Sequence, residues 1–305
     1  FIGTNYCTAV NTGTSALHLA LLACGIGAGD EVITVSMTFI ATVMSISYTG
    51  AKPVFVDVFE DTQLIDYRNI EKKINNRTKA IVVVHLYGQC AEMDSIKKIA
   101  KKYKLRIIED SSQAHGAKFN NFNAGSIGDI GTFSFYPGKN LGASGEGGAI
   151  TTNNKSFDQK IKNLRNWSQP KRYYHNEISY NYRMDAIQAA TLNVKLKYIK
   201  KWTNDRRRIA KTYQSPIKNC KFSITMDNPN NYHVYHIFSL FYKRRNILHK
   251  YLNANGVGTN FHYPVPAHLQ KPYQKLGYKK NDLPITEKIS KSQLSIPIFP
   301  EMKKN

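Results

Sequence analysis

The stretch AIVVVHLYGQCAEMDSIKKIAKKYKLRIIED, residues 80–110, decides the fold. It opens on a short unbroken apolar run, Ala80 to Val84, which reads as a strand covered on both faces. Met93 to Tyr103 then carry a helical pattern, and Leu105 to Ile108 (LRII) form a second apolar run. A strand, a helix and a strand in succession call for parallel pairing, because the helix returns the chain to the same end of the sheet. The second strand ends in two adjacent carboxylates, Glu109 and Asp110.

The same alternation extends in both directions. Glu31 to Val35 (EVITV) and Pro53 to Val58 (PVFVDV) read as strands upstream, Gly131 to Tyr136 (GTFSFY) and Gly148 to Thr152 (GAITT) downstream, with a helix at Ser15 to Ala23. These runs predict an α/β fold with a mostly parallel sheet between helices, in which ligands gather at the carboxyl ends of the strands. A long helix is expected from Met184 to Ile199, with apolar Ile187, Ala190, Leu192, Val194 and Leu196, followed by a charged stretch, Lys200 to Arg208. The remainder, rich in Tyr and Pro, reads as a smaller α+β region, which divides the chain into 1–199 and 200–305.

Composition narrows the possible functions. The 305 residues are 42 % apolar and 21 % charged, a globular balance that argues against disorder. No apolar run is long enough to span a membrane. Cys7, Cys24, Cys90 and Cys220 form no CxxC pair, so no zinc site is expected; Cys24, in an apolar helical stretch, is expected in the core, and the pattern suits a reducing compartment. Forty-three Lys and Arg against 21 Asp and Glu give +22, which suits an anionic partner: a phosphate, a nucleotide, a nucleic acid or a membrane surface. The charges are scattered along the chain, so solvated faces account for most of them.

Four segments carry candidate chemistry. Asn11-Thr12-Gly13-Thr14-Ser15 opens an apolar helix, and free N–H groups there with the helix dipole make an anion site, or simply an N-cap. Asp110 opens Asp110-Ser111-Ser112-Gln113-Ala114-His115-Gly116. A carboxylate at a strand's carboxyl end is partly buried and needs a cation; a protonated pyridine nitrogen would serve, and a helix cap is the plainer alternative. Gly131 to Ala143 (GTFSFYPGKNLGA) runs a strand into a turn bearing one lysine, Lys139, among aromatics and glycines. Covalent chemistry through a Schiff base needs a lysine whose proton is easily lost, and burial achieves that. Asn181-Tyr182-Arg183-Met184-Asp185 reads by itself as a helix cap.

Taken in order, these segments resemble the DegT/DnrJ/EryC1/StrS family of sugar aminotransferases over nearly the whole chain. Gly13 to Leu22, Gly25 to Ile33, Gly50 to Asp57, His85 to Gln89, the Asp110 and Lys139 motifs, Asn181 to Asp185, His262-Tyr263-Pro264 and Leu294 to Pro297 all fit. The resemblance implies the type I fold of pyridoxal 5'-phosphate (PLP) dependent aminotransferases, with a sheet of the seven-stranded type, and a homodimer with its active site at the interface. It implies that Lys139 forms the Schiff base with PLP and shuttles protons, and that Asp110 pairs with the ring nitrogen. It further implies that Gln113 contacts the ring hydroxyl with Ser112 beside it, that Phe39 stacks on the ring, and that Thr14, Ser15 and Ser134 hold the phosphate. Asn181 would reach that phosphate from the neighbouring subunit.

Tyr136, Arg183, His262, Tyr263 and His268 are candidate substrate contacts. Some members of the family carry His at the Schiff-base position and act as dehydratases; Lys139 implies transamination, with L-glutamate as donor and a nucleotide-linked keto-sugar as acceptor. The Lys139 string fits enzymes acting at sugar carbon C3 and occurs in related form in C4 enzymes. Ser111-Ser112 stands where Ala-Ala is common, and the chain enters its first motif almost at once, so a preceding segment is expected. A cyclitol or aminobenzoate enzyme of the same family, an inactive homologue and a basic nucleic-acid binder are the alternatives. No zinc-finger, RNP or helix-turn-helix pattern supports the last, so no nucleic acid is expected as a partner. A cytoplasmic biosynthetic enzyme with no metal is the expected whole.

Overall fold

The computed structural model describes residues 1–217 and 220–303. The first five strands are β1 (Tyr6–Val10), β2 (Glu31–Val35), β3 (Lys52–Val56), β4 (Thr78–Val84) and β5 (Arg106–Asp110). A short hairpin, β6 (Lys118–Phe119) and β7 (Phe122–Asn123), precedes β8 (Ile130–Ser134) and β9 (Gly148–Thr152). Seven of these make one sheet in the order β1-β9-β8-β5-β4-β2-β3. The pairs β2–β3, β2–β4, β4–β5 and β5–β8 are parallel, and β9 alone runs against its neighbours β8 and β1.

The inner strands are largely apolar because both faces of the sheet are covered. Successive residues alternate between two cores. Val32, Ala80, Val82, Ile108 and Ile130 pack with Leu17, Leu19 and Leu21 of helix α1 (Gly13–Ala23). Ile33, Val54, Val56, Ile81, Val83 and Ile107 face the opposite way, with Met93, Ile96 and Ala100 of α3 (Met93–Tyr103). Between them in the chain lies α2 (Ile40–Tyr48), and α4 (Lys155–Arg165) follows β9, capped by the Asn154 side chain. Cys24 is the half-buried C-cap of α1, not a fully buried core residue.

The expected helix over Met184 to Ile199 is two helices, α5 (Ala186–Leu196) and α6 (Ile199–Ile217). The charged stretch Lys200 to Arg208 is therefore the first half of a 19-residue helix. Most of its charges lie on the solvated face, while Ile199, Thr203, Ile209 and Ala210, with the one buried charge Arg206, bury the other at helical spacing. Buried Arg206 donates from one terminal nitrogen to the carbonyls of Tyr235 (3.2 Å) and Ile298 (2.7 Å), and burial draws its guanidinium down to about 10.

The remaining elements are β10 (Ser223–Ile224), β11 (Asn231–Tyr232), β12 (Phe238–Phe241), α7 (Arg245–Ala254), α8 (Pro284–Ser292) and β13 (Gln293–Ile296). Strands β10, β12 and β13 form a three-stranded antiparallel sheet, and β11 adds to the β6–β7 hairpin. Among the described residues no helix is long and apolar enough to cross a membrane.

Candidate active site

One cavity of about 1050 Å³ opens at the carboxyl ends of β4, β5 and β8, where a parallel sheet presents its loops. Its wall includes Asp110, Ser112, Gln113, Ser134, Tyr136 and Lys139, drawn from two neighbouring strands and the turns beyond them.

Strand alternation separates the two acidic residues at the end of β5. Glu109 points away from the cavity and is fully buried; it accepts from the Gly125, Ile127 and Gly128 amides and from His85 Nε2 at 2.7–2.9 Å. The Ala91 amide donates to His85 Nδ1, so the His85 proton sits on Nε2. Asp110 points into the cavity, only 6 % exposed. Its Oδ2 accepts from Thr42 Oγ1 (2.7 Å) and its Oδ1 from the Ser112 amide (3.2 Å). Thr42 is held in turn by the Thr38 hydroxyl at 2.8 Å. Among the described residues no Lys, Arg or His lies within 4.0 Å of the Asp110 carboxylate, and Lys139 feels its charge at longer range, so its cavity-facing side is free for a cation in direct contact.

Lys139 sits in the turn after β8, closed by its own amide donating to the Tyr136 carbonyl (2.8 Å). Burial lowers the pKa of its ammonium, and the Asp110 carboxylate only partly opposes this. His115, buried between Phe133 and Phe135, is pushed down to about 3 by burial and by Lys139.

Across the cavity floor, Thr12, Gly13 and Thr14 begin α1. The Thr12 hydroxyl accepts the Ser15 amide at 2.9 Å, which leaves the Gly13 and Thr14 N–H groups of the first turn for an anion. Gly13 is required by the packing: a Cβ there would stand 2.5 Å from Cβ of Ser134. Ser15 departs from expectation. Its hydroxyl bonds to Thr12 (2.9 Å), its side chain is buried, and it does not line the cavity, because the third helical position turns into the core.

Gln113 is fixed at both ends of its amide. The Tyr87 amide donates to Oε1 (2.7 Å) and Nε2 donates to the Tyr263 hydroxyl (3.0 Å). Phe39, the N-cap of α2, stands half-exposed on the wall with its ring centroid 5.9 Å from that of Tyr263. His262 also lines the cavity; its Nδ1 lies 2.8 Å from Ser295 Oγ, and burial, then Lys139, push it down to about 4.

Three other expected residues lie outside this cavity, Asn181 among them as one expected to serve the neighbouring subunit's site. His268 is a correction: it is fully buried away from the cavity, with Nδ1 at 2.7 Å from Ser36 Oγ and Nε2 facing Glu287. Asn181 and Arg183 lie outside this chain's cavity, beside an antiparallel bridge between Asn166 and Asn181. Arg183 lies 4.1 Å over the Trp167 ring and donates to Asn166 Oδ1 at 2.8 Å. Conversely, Thr42, Asn140 and His236 belong to the site or its frame without having been singled out. Thr42 lies close to Phe39 in the sequence and Asn140 beside Lys139, whereas no local signal marks His236.

The model of the DegT/DnrJ/EryC1/StrS aminotransferase family matches residues 1–305. The dTDP-3-amino-3,6-dideoxy-alpha-D-galactopyranose transaminase of Aneurinibacillus thermoaerophilus is 45 % identical over 302 residues, covering 99 % of this chain and 83 % of its own. This chain belongs to the DegT/DnrJ/EryC1/StrS aminotransferase family. Solved structures of the same kind superpose closely. DesV of S. venezuelae, in complex with a ketimine intermediate, matches with a TM-score of 0.97 at 38 % identity, over 99 % of this chain and 82 % of DesV. The NtdA structure from Bacillus subtilis, with bound cofactor PMP, matches with a TM-score of 0.90 at 32 % identity, over 98 % of this chain and 70 % of that one.

Members of the DegT/DnrJ/EryC1/StrS family are PLP-dependent aminotransferases, and this chain is one of them. Its cavity fits that cofactor on its own evidence. A buried carboxylate bonded only to neutral donors suits a pyridinium nitrogen, a helix start with spare N–H groups suits a phosphate, and a lysine with a lowered pKa suits an aldehyde.

Proposed function

We propose that this enzyme transfers an amino group to a keto-sugar carried on a nucleoside diphosphate, dTDP or UDP, with L-glutamate as donor. The product would be an amino sugar for surface glycans or glycosylated products. The observation that carries this reading is Lys139 and Asp110 on one cavity, in a chain 45 % identical to a dTDP-amino-sugar transaminase. That relative's name puts the amine at C3, and we take C3 as the position here.

PLP, when bound, supplies an electron sink. The protein's part is to hold and tune it. Asp110 takes the ring N–H and keeps it protonated, with Thr42 and the Ser112 amide fixing the carboxylate. Thr14, Ser134 and the first turn of α1 take the phosphate, Gln113 and Ser112 the ring's polar edge, and Phe39 one ring face. Lys139 Nζ, favoured in its neutral form by burial, is the base that accepts a proton and returns it. Tyr136, His262 and Tyr263 stand on the wall where a sugar would enter.

Asn181, exposed and outside its own chain's cavity, supports a homodimer in which it completes the partner's phosphate site, with Arg183 nearby. We assign the enzyme to the cytoplasm, where nucleotide sugars are made, and take 1–199 as the cofactor-binding domain and 200–305 as the smaller one. The test is the pair of half-reactions. L-glutamate should convert the loaded enzyme to its amino form with release of 2-oxoglutarate, and a dTDP-linked 3-keto-sugar should restore it. Restoration by 2-oxoglutarate alone, with no nucleotide sugar accepted, would remove the sugar reading.

A further inference from the structure

The segment between β11 and β12 brings one titratable side chain into the cavity wall, that of His236. Its backbone is anchored by donating an N–H to the Tyr87 carbonyl at 2.9 Å. Its ring is oriented by Asn140, a buried residue next to Lys139 in the chain. Asn140 Nδ2 donates to the Val234 carbonyl (3.1 Å), which can only accept. Oδ1 is therefore the atom that faces His236 Nδ1, also at 3.1 Å. A carbonyl oxygen accepts, so Nδ1 carries the ring proton.

A neutral imidazole has one such proton, which leaves Nε2 a bare acceptor. The neutral form of the ring is favoured: burial first, then the fields of Lys139, Arg206, His115 and His262, push it well below the ordinary histidine range. Among the described residues none bonds to Nε2, and the side chain is half-buried on the cavity wall.

We propose that His236 is a substrate-binding residue whose Nε2 accepts a hydrogen bond from a hydroxyl of the acceptor sugar, and that Asn140 is the positioning residue that fixes this tautomer. A sugar offers hydroxyl donors. L-glutamate has carboxylates that only accept and one donor, its α-amino group, which is the group that reacts with the cofactor and is not free for this nitrogen. The ring thus distinguishes the two substrates that occupy one cavity in turn. This inference rests on the sugar reading proposed above.

The test uses the holoenzyme labelled with 15N-histidine, with dTDP-3-amino-3,6-dideoxygalactose as probe and L-glutamate as comparison. His236→Gln, or His236→Asn if the first does not fold, assigns the signals. Near neutral pH, His236 should carry its proton on Nδ1. The sugar nucleotide should move the Nε2 signal in the direction of an accepted hydrogen bond, and glutamate should not. Asn140→Ala should release the tautomer into a mixture and raise the KM for the sugar nucleotide about tenfold, the loss of one well-placed hydrogen bond. A proton found on Nε2 overturns the proposal. So does an Nε2 signal unmoved by the sugar nucleotide while the cofactor absorbance reports that it has reacted. If glutamate alters that absorbance and the sugar nucleotide never does, the sugar reading itself falls, and this one with it.

Discussion

Asp110 is a carboxylate held at both oxygens by neutral donors, with no cation in direct contact among the described residues. That arrangement makes its charge available to a ring nitrogen. Asp110→Asn preserves the shape and removes the charge, so the glutamate half-reaction should slow by about 10²–10³-fold, the usual cost of losing one preorganised electrostatic group. Stopped-flow absorbance checks it, and a rate within a few-fold of the parent would contradict the role. The residue-scale chemistry was legible in the sequence only through motif order. Asp110 and Lys139 each have plainer readings as a cap and a surface lysine, and only the fold brings them to one cavity. His268 misled because its Pro-rich neighbourhood resembles a loop, whereas Phe55, Tyr273 and Tyr278 enclose that segment in apolar packing.

The elements legible in advance include β2, β3, β4, β5, β8 and β9 and the helices α1 and α3. They are covered on both faces or carry one clear apolar stripe. β1 (YCTAV) gives no such signal, since it sits at the sheet edge with residues alternately exposed. The break between α5 and α6 was hidden because Lys197 and Tyr198 are as compatible with a helix as with its interruption. At this scale the meeting of α1 with β8 is the decisive contact. Gly13→Ala would place a methyl 2.5 Å from Ser134 Cβ, displacing the phosphate end of the cavity. The substitution should cost about 1–3 kcal/mol of stability and weaken PLP binding. Thermal unfolding with and without PLP reads both effects, and an unchanged melting temperature and affinity would contradict the packing argument.

The whole molecule is a basic α/β enzyme whose charge of +22 is spread over solvated faces such as the outer side of α6. The cavity itself is lined by one lysine, Lys139, beside Asp110 and Glu146. If Asn181 completes the partner's site, two inactive variants should complement each other. Unfolding and refolding Lys139→Ala together with Asn181→Ala forms mixed dimers in which one site holds Lys139 from one subunit and Asn181 from the other. Activity absent from either variant alone should emerge on mixing, and none would emerge if each site were built from one chain. The role of Lys139 is read most directly from the absorbance spectrum of the PLP-loaded protein beside that of Lys139→Ala. A visible band from lysine-bound PLP is expected in the parent, shifted by L-glutamate and missing from the variant. A folded, PLP-supplemented parent without that band, or a variant that keeps it, would contradict the assignment of Lys139.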